Sequence, residues 1–213
     1  MITVVLIAVV VLAGCGSSST SNSTSTPSST PSTAHNPAAA APEGVALEQG
    51  PQLAPASSTT QGATVHGIQC GGTEQFVLHV HTHLAVFVNG QPYQIPPGVG
   101  LLQPALVPGS TNFYTATNCF YWLHTHAADG IIHIESPSAT HVFTLGDFFA
   151  EWRQPLSSSQ VGPAKGPVTA FFNGKPWTKD PAAIPLGAHY MIQLDVGKPM
   201  AAFETVSFGG QGL

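Results

Sequence analysis

His79-Val80-His81-Thr82-His83-Leu84-Ala85-Val86-Phe87-Val88-Asn89-Gly90 carries the clearest secondary-structure pattern in the chain. Side chains of a β-strand alternate between its two faces, so strict alternation over Phe76 to Val88 reads as one long strand. Leu78, Val80, Thr82, Leu84, Val86 and Val88 share one face; His79, His81, His83, Ala85 and Phe87 share the other. Asn89-Gly90 is a two-residue hairpin signal, and Gln91-Pro92-Tyr93-Gln94-Ile95 is the return segment. Proline cannot donate to a ladder, so Pro92 sets that segment at a sheet edge.

Two further runs repeat the pattern. His124-Thr125-His126 and His133-Ile134-Glu135 flank Asp129-Gly130, a turn signal, which predicts an antiparallel hairpin. A four-residue loop sets His124 opposite His133. A tight turn on Asp129-Gly130 instead sets His126 opposite His133 and His124 opposite Glu135. Either register keeps all four polar groups on one face, with Leu123, Thr125, Ile132 and Ile134 on the other, whereas an odd-length loop would send His133 to the opposite side. Six of the ten histidines therefore lie on the imidazole face of three strands. Imidazole is the commonest protein ligand for transition metals, and opposed Cβ atoms about 4.5–5.5 Å apart let two side chains reach one ion.

Working outward, Ala85-Val86-Phe87-Val88-Asn89-Gly90-Gln91-Pro92-Tyr93 is echoed by Thr169-Ala170-Phe171-Phe172-Asn173-Gly174-Lys175-Pro176-Trp177, and both lead to Ile-Pro pairs, Ile95-Pro96 and Ile184-Pro185. The echo reads equally as shared turn chemistry or as a duplicated unit, and its second copy has no histidines. Thr144-Leu145-Gly146-Asp147 has capping-box spacing and opens a helix over Leu145 to Arg153, with Leu145, Phe148, Phe149 and Trp152 as its packing stripe and Pro155 beyond its end. The last strands are expected at Val168–Phe172, Tyr190–Val196 and Phe203–Phe208. The expected architecture is mainly β, a sandwich or barrel-like antiparallel sheet with one short helix; an α+β arrangement is the alternative.

The N-terminal third has another character. The apolar run Ile2 to Ala13 is shorter than the ~20 residues a membrane helix needs and suits a secretory signal. Leu12-Ala13-Gly14-Cys15 resembles a lipoprotein lipobox, which makes residues 1–15 a signal peptide and Cys15 the lipidated residue. No Lys or Arg precedes the run, a departure that a start site placed too far downstream explains. Residues 16–63, rich in Ser, Thr, Pro and Ala, read as a disordered tether, since they offer little apolar surface against ordering entropy. Residues 64–213 are the single globular domain.

Charged residues are 7% of the chain, with five Lys and Arg and a net charge of −5, so phosphate neutralisation supplies no nucleic-acid affinity. The membrane is met through the lipid anchor only, and no protein partner is indicated. Cys70 and Cys119 most simply form one disulfide in an exported protein; thiolate ligands beside the histidines are the other option.

His79-x-His-x-His83, Phe87-Val88-Asn89-Gly90, Trp122-Leu123-His124-Thr125-His126, Gly130-Ile131-Ile132-His133-Ile134-Glu135 and Thr144-Leu145-Gly146-Asp147-Phe148-Phe149 together resemble a family of exported bacterial and archaeal proteins with no assigned activity. The resemblance spans about Ile68 to Val196. It implies an acidic residue directly after the His-Thr-His run, where this chain has Ala127; that role is lost here or passes to Asp129.

The candidate ligands are His79, His81, His83, His124, His126, His133 and Glu135. Three or four imidazoles, with or without the carboxylate, suit Zn²⁺ or Cu²⁺ first and Fe²⁺ or Ni²⁺ next. Met191 and Met200 are too few for a specialised Cu(I) carrier. The resulting readings are an extracytoplasmic metal carrier, scavenger or sensor; a metal-dependent enzyme with three histidines and Glu135 as ligand or general base; and a surface interaction module with structural histidines. His141 and His189 read as ordinary core or surface histidines, His35 falls in the tether, and His66, near Cys70, is unassigned.

Overall fold

In the computed structural model, which describes residues 1–3 and 40–209, the histidine-rich stretch is strand β1, Leu78–Val88. Asn89 and Gly90 both take positive φ, 50° and 75°, and turn the chain into β2, Gln91–Tyr93. The sheet is completed by β3 (Leu123–His124), β4 (Ile131–Ser136), β5 (Val168–Phe172), β6 (Lys175–Trp177) and β7 (Tyr190–Val196). Its order is β6-β5-β7-β1-β4-β3, with β2 on β1. All pairs are antiparallel except β7 on β1, which is parallel.

Strand β1 is long enough to change partners. Leu78 to His83 pair with β4, and Val86 to Val88 pair with β2. The Pro92 segment is therefore an edge, as its missing N–H requires. The echoed hairpin β5–β6 has the same turn, Asn173 and Gly174 at φ 49° and 75°, and the same register: Phe172 faces Lys175 as Val88 faces Gln91.

One sheet face carries the core. Leu84 and Val86, Ile132 and Ile134, Ile192, Leu194 and Val196 are buried in one hydrophobic cluster with Phe148, Phe149 and Trp152. Phe148 and Phe149 come from α1, Leu145–Glu151, and Trp152 is its C-cap. Thr144 and Asp147 form its reciprocal capping box, and Arg153, at φ 57°, lies just beyond its end. Burying each large apolar side chain contributes roughly 1.5–3 kcal/mol against chain entropy. Short sheets at Cys70–Gly71/Phe120–Tyr121 and at Leu156–Ser157/Gln160–Val161/Ala164–Lys165 pack residues into the same cluster. A further pair joins Pro104–Leu106 to Tyr114–Ala116. The architecture is mainly β with one α-helix, and no sheet closes into a barrel among the described residues.

Three expectations need adjustment. Phe203–Phe208 forms no strand. The Ala201 and Glu204 amides donate to side chains of β7, Asp195 and Gln193, so this segment crosses the sheet face and adds no ladder. The helix ends at Glu151, two residues before Arg153.

The packed part of the chain also starts before residue 64. Leu53 and Ala54 are in the core, and the Trp152 indole donates to the Pro55 carbonyl. Composition misses this because Val45 and Leu53 are the only large apolar side chains buried in residues 40–63, and further contacts are made by backbone groups and Thr59. The expected lipobox at Cys15 and the expected tether over residues 16–39 lie outside the described residues.

Candidate metal centre

The register of β3, β4 and β1 builds the site. His124 pairs with His133, and His133 pairs with His81, so three imidazoles form a row across the sheet. One step along, Glu135 pairs with His79. The four-residue loop is the one adopted, since His124 opposes His133. His126 is past the end of β3, where its carbonyl accepts from the Tyr114 amide. Its ring stacks on Phe113, centroids 4.6 Å apart. Ligating atoms of His124, His126, His133 and Glu135, all buried, lie within 4.8 Å of one another, and so do those of His79, His81 and His133.

Hydrogen bonding fixes two tautomers. Nδ1 of His124 faces the Tyr121 carbonyl at 2.8 Å, and Nδ1 of His126 faces the Tyr114 carbonyl. A carbonyl only accepts, so both Nδ1 atoms carry the proton and both Nε2 atoms present lone pairs. Those Nε2 atoms lie 3.1 Å apart with a lone pair on each. Burial, with neighbouring histidines, pushes the His124 pKa well down, and pushes His126 down to about 4. A proton between them is therefore disfavoured. Two cis ligands at about 2.0–2.1 Å from a tetrahedral ion sit roughly 3.3 Å apart, so the pair is spaced for a metal.

Carboxylates surround the imidazoles. Glu135 Oε1 is 3.2 Å from His79 Nε2, 3.5 Å from His133 Nδ1 and 3.8 Å from His124 Nε2. Glu43 Oε1 is 3.3 Å from His133 Nε2, and Glu74 Oε1 is 3.6 Å from His126 Nε2. Burial opposes charge on His133, but the carboxylates of Glu135 and Glu43 outweigh it and raise its pKa to about 9. His81, 3.1 Å from His133 Nδ1, is pushed down to about 3 by burial and by that neighbour. A cavity of about 330 Å³ opens on these atoms, walled by Glu43, Glu74, Val107 and Phe113.

Not every sequence candidate joins. His83 shares the face but pairs with Ile131, at the point where β1 leaves β4, and it belongs to neither group of ligating atoms. Its Nε2 packs against Gly130, where a Cβ would approach it to 2.8 Å. Asp129 is outside both groups as well: its Oδ1 accepts from the Ile131 amide, an Asx turn that shapes the loop. Ala127 is buried and brings no carboxylate. Cys70 and Cys119 are joined in a disulfide, Cα atoms 5.4 Å apart, which removes them as thiolate ligands. His66 pairs with Asp147 of the capping box at 2.9 Å, His141 packs on Phe143, and His189 stacks on Phe208.

Glu43 and Glu74 are the residues that sequence reasoning missed. Both come from segments without periodicity, and the only available signal was their place among the ten acidic residues of a chain poor in charge. No family model, curated protein or solved structure matches the chain.

Proposed function

We propose that this is a lipid-anchored, extracytoplasmic protein that binds a divalent transition-metal ion as a carrier, scavenger or sensor. One observation carries the metal: the Nε2 atoms of His124 and His126, tautomers fixed by carbonyls, face each other at 3.1 Å beside Glu135. Nitrogen and carboxylate donors without thiolate suit Zn²⁺ and Cu²⁺. The anchor is supported by the apolar run ending in Leu12-Ala13-Gly14-Cys15, by the resemblance to exported proteins, and by a disulfide of the kind oxidising compartments favour.

The cavity beside the cluster favours a second reading, a metal-dependent enzyme. There Glu135, pressed against three imidazoles, serves as a ligand, and the general base falls to Glu43 or Glu74 on the cavity wall.

Metal analysis tests the primary reading. Protein covering residues 40–213, loaded with Zn²⁺ or Cu²⁺ and dialysed, should retain stoichiometric metal, and His124→Ala and His133→Ala should each reduce the affinity at least tenfold. Retention of no metal under any loading condition would remove both readings.

A further inference from the structure

We propose that the cluster is a two-ion centre in which Glu135 bridges the ions, one held by His124, His126 and Glu74 and the other by His79, His81 and His133. This rests on the metal-binding reading above and extends it to the number of ions and their shared ligand.

The donor set is too large for one ion. Five imidazoles and three carboxylates converge, whereas a transition-metal ion in protein takes four to about six donors. The donors divide by contact. His124 Nε2 meets His126 Nε2 at 3.1 Å, and Glu74 is 3.6 Å from the latter. His81 Nε2 meets His133 Nδ1 at 3.1 Å, and His79 lies on the same strand face one step away.

Glu135 reaches both sets, while His133 is the residue common to the two groups of mutually close ligating atoms. Its Oε1 is 3.2 Å from His79, 3.5 Å from His133 and 3.8 Å from His124, while its Oε2 is buried with no hydrogen-bond partner. Glu43 Oε2 and His133 Nε2 are also buried without one. A single ion of four to six donors cannot engage all of these side chains, and buried polar groups left unpaired carry a desolvation cost. Two ions engage seven of the eight side chains and leave Glu43 beside His133 Nε2. The second set is the outer one, since the His79 side chain is 37% exposed.

The full chain carrying Cys15→Ser, which removes the one cysteine outside the disulfide, is titrated with Zn²⁺ and, separately, Cu²⁺. The expected result is two ions per chain, with Cu²⁺ electron paramagnetic resonance showing spin coupling. His79→Ala, at the exposed edge of the sheet, should reduce the count to one and abolish the coupling. One ion per chain in the parent overturns the two-ion centre and leaves the metal-binding reading standing; no ion removes both. Two ions that persist in His79→Ala, or two uncoupled Cu²⁺ ions in the parent, place the second ion elsewhere and also overturn the proposal.

Discussion

The opposed Nε2 atoms of His124 and His126 show how much a single residue's surroundings decide. Each imidazole is neutral because burial disfavours the cation, and each lone pair points inward because a backbone carbonyl holds the other nitrogen. Gly100 is part of that arrangement. It has φ 74°, and a Cβ there would lie 2.2 Å from the Leu123 carbonyl oxygen and 2.8 Å from the His124 Cβ. Gly100→Ala should therefore cost about 2 kcal/mol or more, seen as a lower urea midpoint, and should weaken metal binding by shifting His124. An unchanged midpoint would contradict this packing.

Glu151 makes a separate prediction. It is buried with neither carboxylate oxygen hydrogen-bonded, and burial raises its pKa well above 4.5. A raised acid binds its proton in the folded chain where the unfolded chain releases it, so stability falls as pH rises from about 4.5 toward the folded-state value. Glu151→Gln should melt higher than the parent at neutral pH, with the difference vanishing near about pH 4. A Gln variant that melts lower at neutral pH would show that the carboxylate has a partner.

At the scale of elements, the disulfide and the β3–β4 hairpin position most of the site. Cys70–Cys119 pins a two-residue ladder at Phe120–Tyr121, and the Tyr121 carbonyl then holds His124. The bridge spans 49 residues, for which the chain-entropy model gives about 4 kcal/mol. Cys70→Ala with Cys119→Ala should lose roughly 2–5 kcal/mol in denaturant titration, and metal affinity should fall with it.

Much of this scale was legible. Alternation located β1, the turn dipeptides located both Asn-Gly hairpins, and the parity of His124, His133 and Glu135 held because side-chain direction is a local property of a strand. The choice between loop registers was not legible, since both keep that parity. Nor was the exclusion of His83, which follows from β1 exchanging β4 for β2 at that point, a long-range event. Phe203–Phe208 has strand-like composition, yet the Glu204 amide donates to the Gln193 side chain and no ladder forms.

For the whole molecule, the decisive difference from the sequence reading is that residues 41–63 belong to the folded unit. Glu48 Oε2 accepts from the Ile95 amide, Thr59 Oγ1 accepts from the Gly100 amide, and Glu43 reaches His133. Low-complexity composition concealed them because these contacts use few apolar side chains. A chain cut to 64–213 should melt well below one spanning 40–213 by circular dichroism, and should bind metal more weakly for want of Glu43. Equal melting temperatures would mean that the segment contributes nothing to the fold.

The imidazole face of the sheet carries donors that could hold a metal ion. Zn K-edge X-ray absorption on the Zn²⁺-loaded 40–213 protein tests it most directly. The expected spectrum has a first shell at about 2.0–2.1 Å with the multiple scattering of two to three imidazoles per ion. A shell of oxygen alone, without imidazole scattering, would contradict it.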